Sequence, residues 1–372
     1  MIETLSTLRV PEGAGQRRDA PPRCRVTNDA FWDTYDTSTL IYDCVYSPDE
    51  RKLRLYCPKL FNLESLLTQT VFAVDGTQLG GGKWQRSRHL DVVEYSDVAP
   101  ANELHCAMPT GDRVLAVNTV DRRLDGLNTL YTLSRNNDLM WIGDWARFHV
   151  AQHKVEAIVF VDNGSDRYST DEVADTLKTA TNLKKIIVLD APLRHGPRSH
   201  TCTSSGDARF FQTSIMNICL NRFMSRSRAV LSIDVDELVV RKTDVTIFDA
   251  ASDSRLGLSM FDGRWHYADQ RISPVRHATH YLYRDGEAPC PTKYAIRPKG
   301  LIARGRQMEV HSLSNVNRRL YPSDKRFYFA HCRQISTNWK STRQSDSTQD
   351  LSEDPLLKSQ LSAVFQPSSE TT

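Results

Sequence analysis

The sequence predicts an α/β protein in which helices flank a mixed, mainly parallel sheet, with a small β-rich domain on its N-terminal side. Three observations predict this class. From residue 113 onward, apolar strand-like runs alternate with amphipathic helical segments. Residues 24–110 instead carry short strand-like runs separated by turn residues. The length of 372 residues accommodates one large domain and a smaller one.

The N-terminal part divides into a tail and a β-rich region. Residues 1–23 are predicted to be a flexible tail, because much of this stretch is polar and rich in Gly, Pro and Arg. A β-rich accessory domain is predicted over 24–110. Residues 47–50 form a turn signal between the first two of its candidate strands, which indicates a hairpin. The candidate strands are residues 39–46, 52–57, 69–74 and 90–95.

The α/β domain is predicted over residues 111–340. Its candidate strands are residues 114–117, 157–163, 184–190 and 229–233, and its candidate helices are residues 138–152, 170–180 and 210–225. Residues 341–372 are rich in Ser, Gln and acidic side chains, which predicts a mostly disordered tail with a short helix over 355–365.

Composition excludes several classes of protein. The net charge of +3 comes from scattered basic residues, so a nucleic-acid binder is not expected. No apolar window is long enough to cross a bilayer, and the first residues lack a secretory signal pattern. The predicted location is therefore cytoplasmic, with peripheral membrane association left open. Eight cysteines without a Cys-x-x-Cys pair favour reduced thiols, while their even number leaves disulfides open.

The most informative motif is Asp234-Val235-Asp236-Glu237, which ends a strand-like apolar run. Buried carboxylates are rarely left without a partner. Asp234 and Asp236 occupy alternate positions at the strand end, which predicts a divalent metal site for Mn²⁺ or Mg²⁺, and such an ion also holds diphosphates. An exposed acidic turn is the alternative interpretation.

An ordered series of motifs extends along the same domain. The series is Asn136-Asn137-Asp138, Trp145-Ala146-Arg147-Phe148-His149, Val159 to Asp166, Gln212, Ile233 to Glu237, Lys293 to Pro298, Val310-His311 and His331-Cys332-Arg333. Together these motifs resemble the GT-A nucleotide-sugar glycosyltransferases, especially the family 92 and family 2-like branches. Leu238 and Cys332 stand where that pattern has an aromatic residue and a tyrosine.

The resemblance implies a GT-A, Rossmann-like fold and a metal-dependent, inverting hexosyltransferase, with galactose among the candidate sugars. The implied donor is a UDP-sugar, and the implied acceptor is a carbohydrate or a lipid-linked glycan. Asp236 is expected to bind the metal directly, with Asp234 beside it. Families of this kind add a late histidine ligand, for which His311 is the first candidate and His331 the second. A structural, hydrogen-bonded histidine is the alternative for both.

Two further groups of residues are candidates for donor binding. Asp162, Asn163 and Asp166 resemble the nucleotide-side loop of such enzymes, with a plain Asx turn as the alternative. Lys293, Arg297 and Lys299 alternate along an extended run, so that the three cations share one strand face and converge on phosphate. A solvated strand face is the alternative.

Inversion requires a general base that takes the proton of the acceptor hydroxyl. The candidates are Glu237, Asp262 and Glu309. Asp262 precedes Trp265 and His266, whose rings are candidates for stacking on a sugar. An ordinary turn aspartate with a core tryptophan explains this segment equally well.

Two other classes of function stay open on the sequence alone. The first is a non-catalytic carbohydrate-binding protein on a glycosyltransferase-like scaffold. The second is a nucleotidyltransferase or phosphatase that uses the same acidic strand end.

Overall fold

The computed structural model describes residues 1–198, 200–317, 321–336 and 350–365. The chain forms two compact units. Unit 1 comprises Met1–Glu3, Arg123–Asp190 and Met224–Thr372, and unit 2 comprises Thr4–Arg122 and Ala191–Phe223. The division therefore differs from the predicted boundary at residue 110, because the segment 191–223 belongs with the β-rich unit.

Strands and helices are numbered here in chain order. The strands are β1 (Ile2–Thr4), β2 (Leu8–Arg9), β3 (Thr39–Ile41), β4 (Asp43–Ser47), β5 (Lys52–Pro58), β6 (Val71–Val74), β7 (Thr77–Gln78), β8 (Lys83–Gln85), β9 (Leu90–Tyr95), β10 (Glu103–Ala107), β11 (Arg113–Ala116), β12 (Asn118–Thr119), β13 (Asn128–Ser134), β14 (Ala157–Asp162), β15 (Lys185–Asp190), β16 (Ala229–Ser232), β17 (Glu237–Arg241), β18 (Leu258–His266), β19 (Leu282–Tyr283), β20 (Cys290–Ile296), β21 (Met308–Glu309), β22 (Ser312–Leu313), β23 (Phe327–Cys332) and β24 (Ser352–Glu353). The α-helices are α1 (Ala30–Thr34), α2 (Glu64–Thr68), α3 (Leu139–His153), α4 (Thr170–Ala180), α5 (Phe210–Cys219), α6 (Ile247–Asp253) and α7 (Pro355–Phe365). Shorter 3-10 helices cover Phe61–Leu63, Ser205–Ala208 and His277–Thr279, and a π-helical turn covers Leu220–Met224.

Unit 1 is built on a nine-stranded mixed sheet in the order β1-β15-β14-β13-β16-β20-β18-β23-β17. Strands β15, β14, β13 and β16 are parallel neighbours. Strand β20 runs antiparallel to both β16 and β18, and β18 is parallel to β23. Helices α3 and α4 pack on each other, and α6 packs against β16, β18 and β20. The predicted mixed α/β sheet with flanking helices is confirmed.

The two helices that follow β13 and β14 begin where the sequence provides N-caps. The Asp138 carboxylate accepts a hydrogen bond from the Met140 backbone N–H at 2.8 Å, which starts α3. Ser169 and Glu172 form a capping box that starts α4. In α3, Trp145 and Phe148 are fully buried in the core of the unit. These aromatic residues are therefore part of the core rather than a ligand site.

Unit 2 contains a four-stranded sheet in the order β11-β10-β6-β7 and a five-stranded sheet in the order β12-β4-β5-β9-β8. The predicted hairpin is the antiparallel pair β4 and β5. Helix α5 packs against β5 and β9, with the Tyr42 and Phe211 rings 6.0 Å apart. The predicted loose tail over 1–23 is wrong in two places, because β1 joins the sheet of unit 1 and β2 pairs with β3.

The C-terminal segment ends in an ordered helix. Strand β24 pairs with β19, and α7 covers the residues for which the sequence predicts a short helix. Asp354 precedes this helix. Its carboxylate accepts hydrogen bonds from the Leu357 backbone N–H at 3.1 Å and the Tyr328 hydroxyl at 2.6 Å. The rest of the predicted disordered tail, residues 341–349 and 366–372, lies outside the described residues.

One pair of cysteines is bonded in unit 2. Cys24 and Cys202 form a disulfide that closes 178 residues of chain, and the backbones beside it are joined by a hydrogen bond from Thr27 N–H to the Thr201 carbonyl at 2.9 Å. The other six cysteines are buried and are not disulfide-bonded. Cysteine spacing favours reduced thiols, which holds for those six. Stable disulfides are typical of oxidising compartments, whereas the sequence predicts a cytoplasmic location.

Among the residues that the structure describes, no helix combines the length and the apolar character needed to cross a bilayer.

We expect non-reducing peptide mapping of the natively folded protein to recover one linked peptide pair, containing Cys24 and Cys202. The Cys24→Ser/Cys202→Ser variant should lose about 5 kcal/mol of unfolding free energy, because a long loop is no longer closed in the unfolded chain. The six remaining cysteines should react with an alkylating reagent only after unfolding. A Cys24 thiol that is alkylated in the folded, unreduced protein would contradict the pairing.

Candidate functional site

The topology of unit 1 brings many strand ends to one edge of the sheet. Because β20 is antiparallel to both β16 and β18, the strands β13, β14, β16, β18 and β23 all run in the same direction. Their carboxyl ends therefore share one edge, which we call the carboxyl edge. Strand β17 is antiparallel to β23 and so begins at the same edge, with Glu237 paired to His331. Ligands of open α/β sheets bind at such an edge.

Three side chains converge there. Asp236, Glu237 and His331 each offer one ligand atom, and these atoms lie within 4.8 Å of one another. Nε2 of His331 is 3.2 Å from Oδ2 of Asp236, and Nδ1 of the same ring is 3.4 Å from Oε1 of Glu237. All three residues are buried. We refer to them as the triad, and two carboxylates with one imidazole suit a divalent cation.

A buried lysine holds the acidic motif from the other side. Nζ of Lys293 lies 2.7 Å from Oδ2 of Asp234 and 2.8 Å from Oε2 of Glu237. Burial alone would lower the pKa of Lys293, but the carboxylates of Asp234 and Glu237 outweigh it and raise this pKa above its ordinary value. Burial raises the pKa of Glu237, and the Lys293 ammonium opposes that rise. Glu237 thus bridges the lysine and the histidine of the triad.

Of the two histidines predicted as metal ligands, one lies in the triad and the other lies outside it. His331, the second candidate, is part of the triad because the register of β17 and β23 places it opposite Glu237. His311, the first candidate, lies beside Thr292, with its Nδ1 3.2 Å from the Thr292 carbonyl. It does not belong to the cluster of three. Asp234, the other predicted ligand, faces Lys293 instead.

The loops after β13 and β14 are joined by hydrogen bonds at the carboxyl edge. Asp162 accepts hydrogen bonds from the Ser165 backbone N–H at 2.9 Å and the Ser165 hydroxyl at 2.5 Å, which is the Asx turn considered above. The Ser165 hydroxyl also accepts from the Asn136 backbone N–H at 2.8 Å, and the Asn136 side chain accepts from the Asp166 N–H at 2.9 Å. Asn163 is buried and Asp166 is exposed. The predicted nucleotide-side loop is therefore a preformed structure.

The three predicted phosphate-binding cations are not brought together. Tyr294 and Ile296 of β20 pair with Ser232 and Val230 of β16, so β20 leads away from the carboxyl edge. Lys293 lies near that edge. Arg297 and Lys299 follow the end of β20 and are displaced toward the opposite edge, by about 13 Å already at Arg297. The strand face that the sequence predicted for these three residues ends with β20 at Ile296, so Arg297 and Lys299 do not share it with Lys293.

The predicted bases also differ in their surroundings. Burial alone would raise the pKa of Asp262, but hydrogen bonds from Lys325 at 2.8 Å and Ser323 at 2.5 Å outweigh it and lower this pKa. Asp262 is thereby a weaker base. Glu309 lies on β21 and is half-buried, and its backbone carbonyl accepts a hydrogen bond from the Tyr294 hydroxyl at 2.6 Å.

The two rings predicted to stack on a sugar are both engaged. His266 is fully buried, and its Nε2 lies 3.1 Å from Oδ2 of Asp354. The Trp265 ring lies 4.3 Å from the His331 ring, centroid to centroid. Trp265 therefore borders the triad.

Sequence reasoning assigned Glu237 to proton transfer and Lys293 to phosphate, and missed that they form a buried pair. Only the three-dimensional fold brings them together, because their positions in the sequence differ by 56 and their strands, β17 and β20, are not neighbours in the sheet. The central strand β13 was also missed, together with Ser134, whose hydroxyl accepts from the Asn137 side chain at 2.9 Å. The sequence of β13, Asn-Thr-Leu-Tyr-Thr-Leu-Ser, is neither a continuous apolar run nor a regular alternation, so its strand signal is weak.

Among known proteins, similarity to this chain is found in solved structures. No protein-family model matches the sequence, and no curated protein is significantly similar to it. Similar solved structures include core-mannan synthase A from Aspergillus fumigatus in a Mn/GDP form (11% identity, TM-score 0.26, 40% of this chain and 46% of that chain). They also include the mannosyltransferase Ktr4p from S. cerevisiae (13%, 0.26, 39% and 40%) and an active-site mutant of LgtC (14%, 0.24, 49% and 60%). The chain thus spans less than two thirds of the length of each of these proteins.

We expect Lys293→Met to lower the free energy of unfolding by about 3–5 kcal/mol, because Glu237 then stays buried without its counter-ion. Chemical denaturation of the purified protein measures this change. The matched control is Lys325→Met, which breaks the ion pair of Lys325 with Asp262. The Lys325 side chain is 80% exposed, so its loss should cost less than about 1 kcal/mol. Equal losses in the two variants would contradict the structural role of Lys293.

Proposed function

We propose that this protein is a metal-dependent glycosyltransferase of the GT-A type, which moves a sugar from a UDP-sugar to a glycan or lipid-linked glycan acceptor. The observation that carries the proposal is the convergence of Asp236, Glu237 and His331 at the carboxyl edge. The resemblance of the ordered sequence motifs points to the same class.

The position of the triad in the sheet supports a nucleotide ligand. The parallel strands have the spatial order β15-β14-β13-β16, so the strand order reverses between β13 and β16. A crevice outside the carboxyl ends at such a switch point is where α/β sheets bind nucleotides. The loop after β16 carries Asp234 and Asp236, and the loop after β13 carries Asn136. The donor would lie between them, with Asp162 or Asp166 as the candidate acceptor of hydrogen bonds from the base or the ribose.

The charges of the site fit a divalent cation. Asp234, Asp236 and Glu237 supply three carboxylates, and Lys293 neutralises one of these charges. A divalent cation would neutralise the remainder, and it would supply stabilisation of the charge on a diphosphate leaving group. Carboxylates suit Mg²⁺ and Mn²⁺, whereas imidazole suits first-row transition metals, so Mn²⁺ satisfies both preferences. Asp236, Glu237 and His331 would hold it.

The surroundings of the carboxylates narrow the choice of general base. Glu237 is enclosed between Lys293 and His331, and Asp262 is held by Lys325 and Ser323 with its pKa lowered. Both are poorly placed to take a proton from an acceptor hydroxyl. Glu309 therefore keeps the proposed role of base in an inverting reaction. Hexose, with galactose as one option, remains the proposed donor sugar on the resemblance alone.

We expect UDP to bind in a Mn²⁺-dependent manner, and we expect Asp236→Asn to weaken that binding at least about 100-fold, because it replaces a charged carboxylate ligand of the ion with a neutral amide. Isothermal titration calorimetry with and without Mn²⁺ measures this, with GDP titrated in parallel to test the preference for the base. The control is Asp175→Asn, an exposed carboxylate on α4 that pairs with Lys178.

The outcomes separate the classes of function. Unchanged Mn²⁺-dependent UDP binding in Asp236→Asn would refute the assignment of the metal site. Glycan binding by a folded protein that binds no nucleotide would favour the carbohydrate-binding alternative. Release of pyrophosphate or inorganic phosphate instead of UDP would indicate a nucleotidyltransferase or phosphatase.

A further inference from the structure

The residue next to the triad on the neighbouring strand is a tryptophan. Strands β18 and β23 are parallel, and their register pairs Trp265 with His331 and His266 with Cys332. Directly paired residues of adjacent strands project to the same face of a sheet. The Trp265 and His331 rings accordingly lie with their centroids 4.3 Å apart and their planes inclined by 37°.

This tryptophan is held from outside the triad. The Arg333 guanidinium lies 4.8 Å from the centroid of the Trp265 ring. Arg333 donates a hydrogen bond to Glu287 at 2.8 Å, and Glu287 accepts another from the Tyr267 hydroxyl at 3.0 Å. A continuous series of contacts therefore runs from Glu287 through Arg333 and Trp265 to His331. A ring that contacts an imidazole and a guanidinium in this way is a poor platform for a sugar.

The imidazole of His331 needs such support if it is to hold an ion. Its two nitrogens face Asp236 and Glu237, so a rotation of the ring would move its nitrogens away from these carboxylates. Glu237 is fixed by Lys293 through its other oxygen. The flat face of the imidazole packs against the Trp265 ring, and this contact opposes rotation of the imidazole out of its position. Groups that orient a metal-binding histidine typically contribute 10–100-fold to metal affinity.

We infer that Trp265 is a positioning residue for the triad: its ring fixes the orientation of the His331 imidazole, and Arg333 and Glu287 fix Trp265. The inference rests on the proposed function only in that the triad binds a divalent cation. It assigns Trp265 to the metal rather than to an acceptor sugar.

The test is Mn²⁺ affinity in the absence of nucleotide, followed by the electron paramagnetic resonance signal of the free ion. Trp265→Leu should weaken Mn²⁺ binding about tenfold, and Trp265→Phe, which retains a ring against His331, should recover most of it. Because Trp265 acts through the histidine, Trp265→Leu/His331→Ala should bind Mn²⁺ no more weakly than His331→Ala alone. Circular dichroism and thermal unfolding verify that each variant is folded.

Several outcomes overturn the inference. The first is a folded Trp265→Leu variant that binds Mn²⁺ as tightly as the wild type. The second is a double variant that binds Mn²⁺ tenfold more weakly than His331→Ala alone. The third is a wild type that binds no Mn²⁺. If Trp265→Leu does not fold, Arg333→Gln makes the same test, with a smaller expected loss. Nucleotide binding is measured separately, so a wild type that binds Mn²⁺ but no nucleotide overturns the proposed function and leaves the role of Trp265 standing.

Discussion

The buried ion pair between Lys293 and Glu237 is the constraint around which the site is arranged. One oxygen of Glu237 lies 2.8 Å from the Lys293 ammonium and the other faces His331 at 3.4 Å. A buried carboxylate with its partner removed is costly, so the lysine makes it favourable to keep Glu237 inside the fold. The same lysine draws Asp234 toward itself. As a result Asp236, rather than Asp234, joins Glu237 and His331.

The strand order and register of the sheet determine which residues lie beside this ion pair. Strand β20 carries Lys293 beside β16, and β17 begins at Glu237 opposite His331. Strand β18 then places Trp265 against the histidine. Strands β17, β18, β20 and β23, which are separate in the sequence, thus supply the triad and the residues that contact it. The loops after β13 and β14 lie at the same edge of the sheet. The proposed division between a metal-binding part and a nucleotide-binding part of the edge rests on this strand order.

Much of the fold could be predicted from the sequence, and much of the site could not. Strands β14, β15 and β16 are continuous apolar runs, and the helices beside them carry N-caps, so local pattern identifies them. Strand β13 was missed because threonines interrupt its apolar residues without a regular alternation. The direction of β20 in the sheet cannot be predicted from the residues of β20 alone, which is why Arg297 and Lys299 were grouped with Lys293. The choice of His331 over His311 likewise depends on a register between β17 and β23.

The central claim is that Asp236, Glu237 and His331 bind one divalent cation at the carboxyl edge. Crystals grown with Mn²⁺ and UDP, with diffraction data collected near the manganese absorption edge, test it most directly. The account predicts one anomalous peak within coordinating distance of Asp236 and His331, with the Lys293–Glu237 pair still formed. A peak between Asp234 and the loop that contains His311, or no peak in crystals that contain bound UDP, would contradict it.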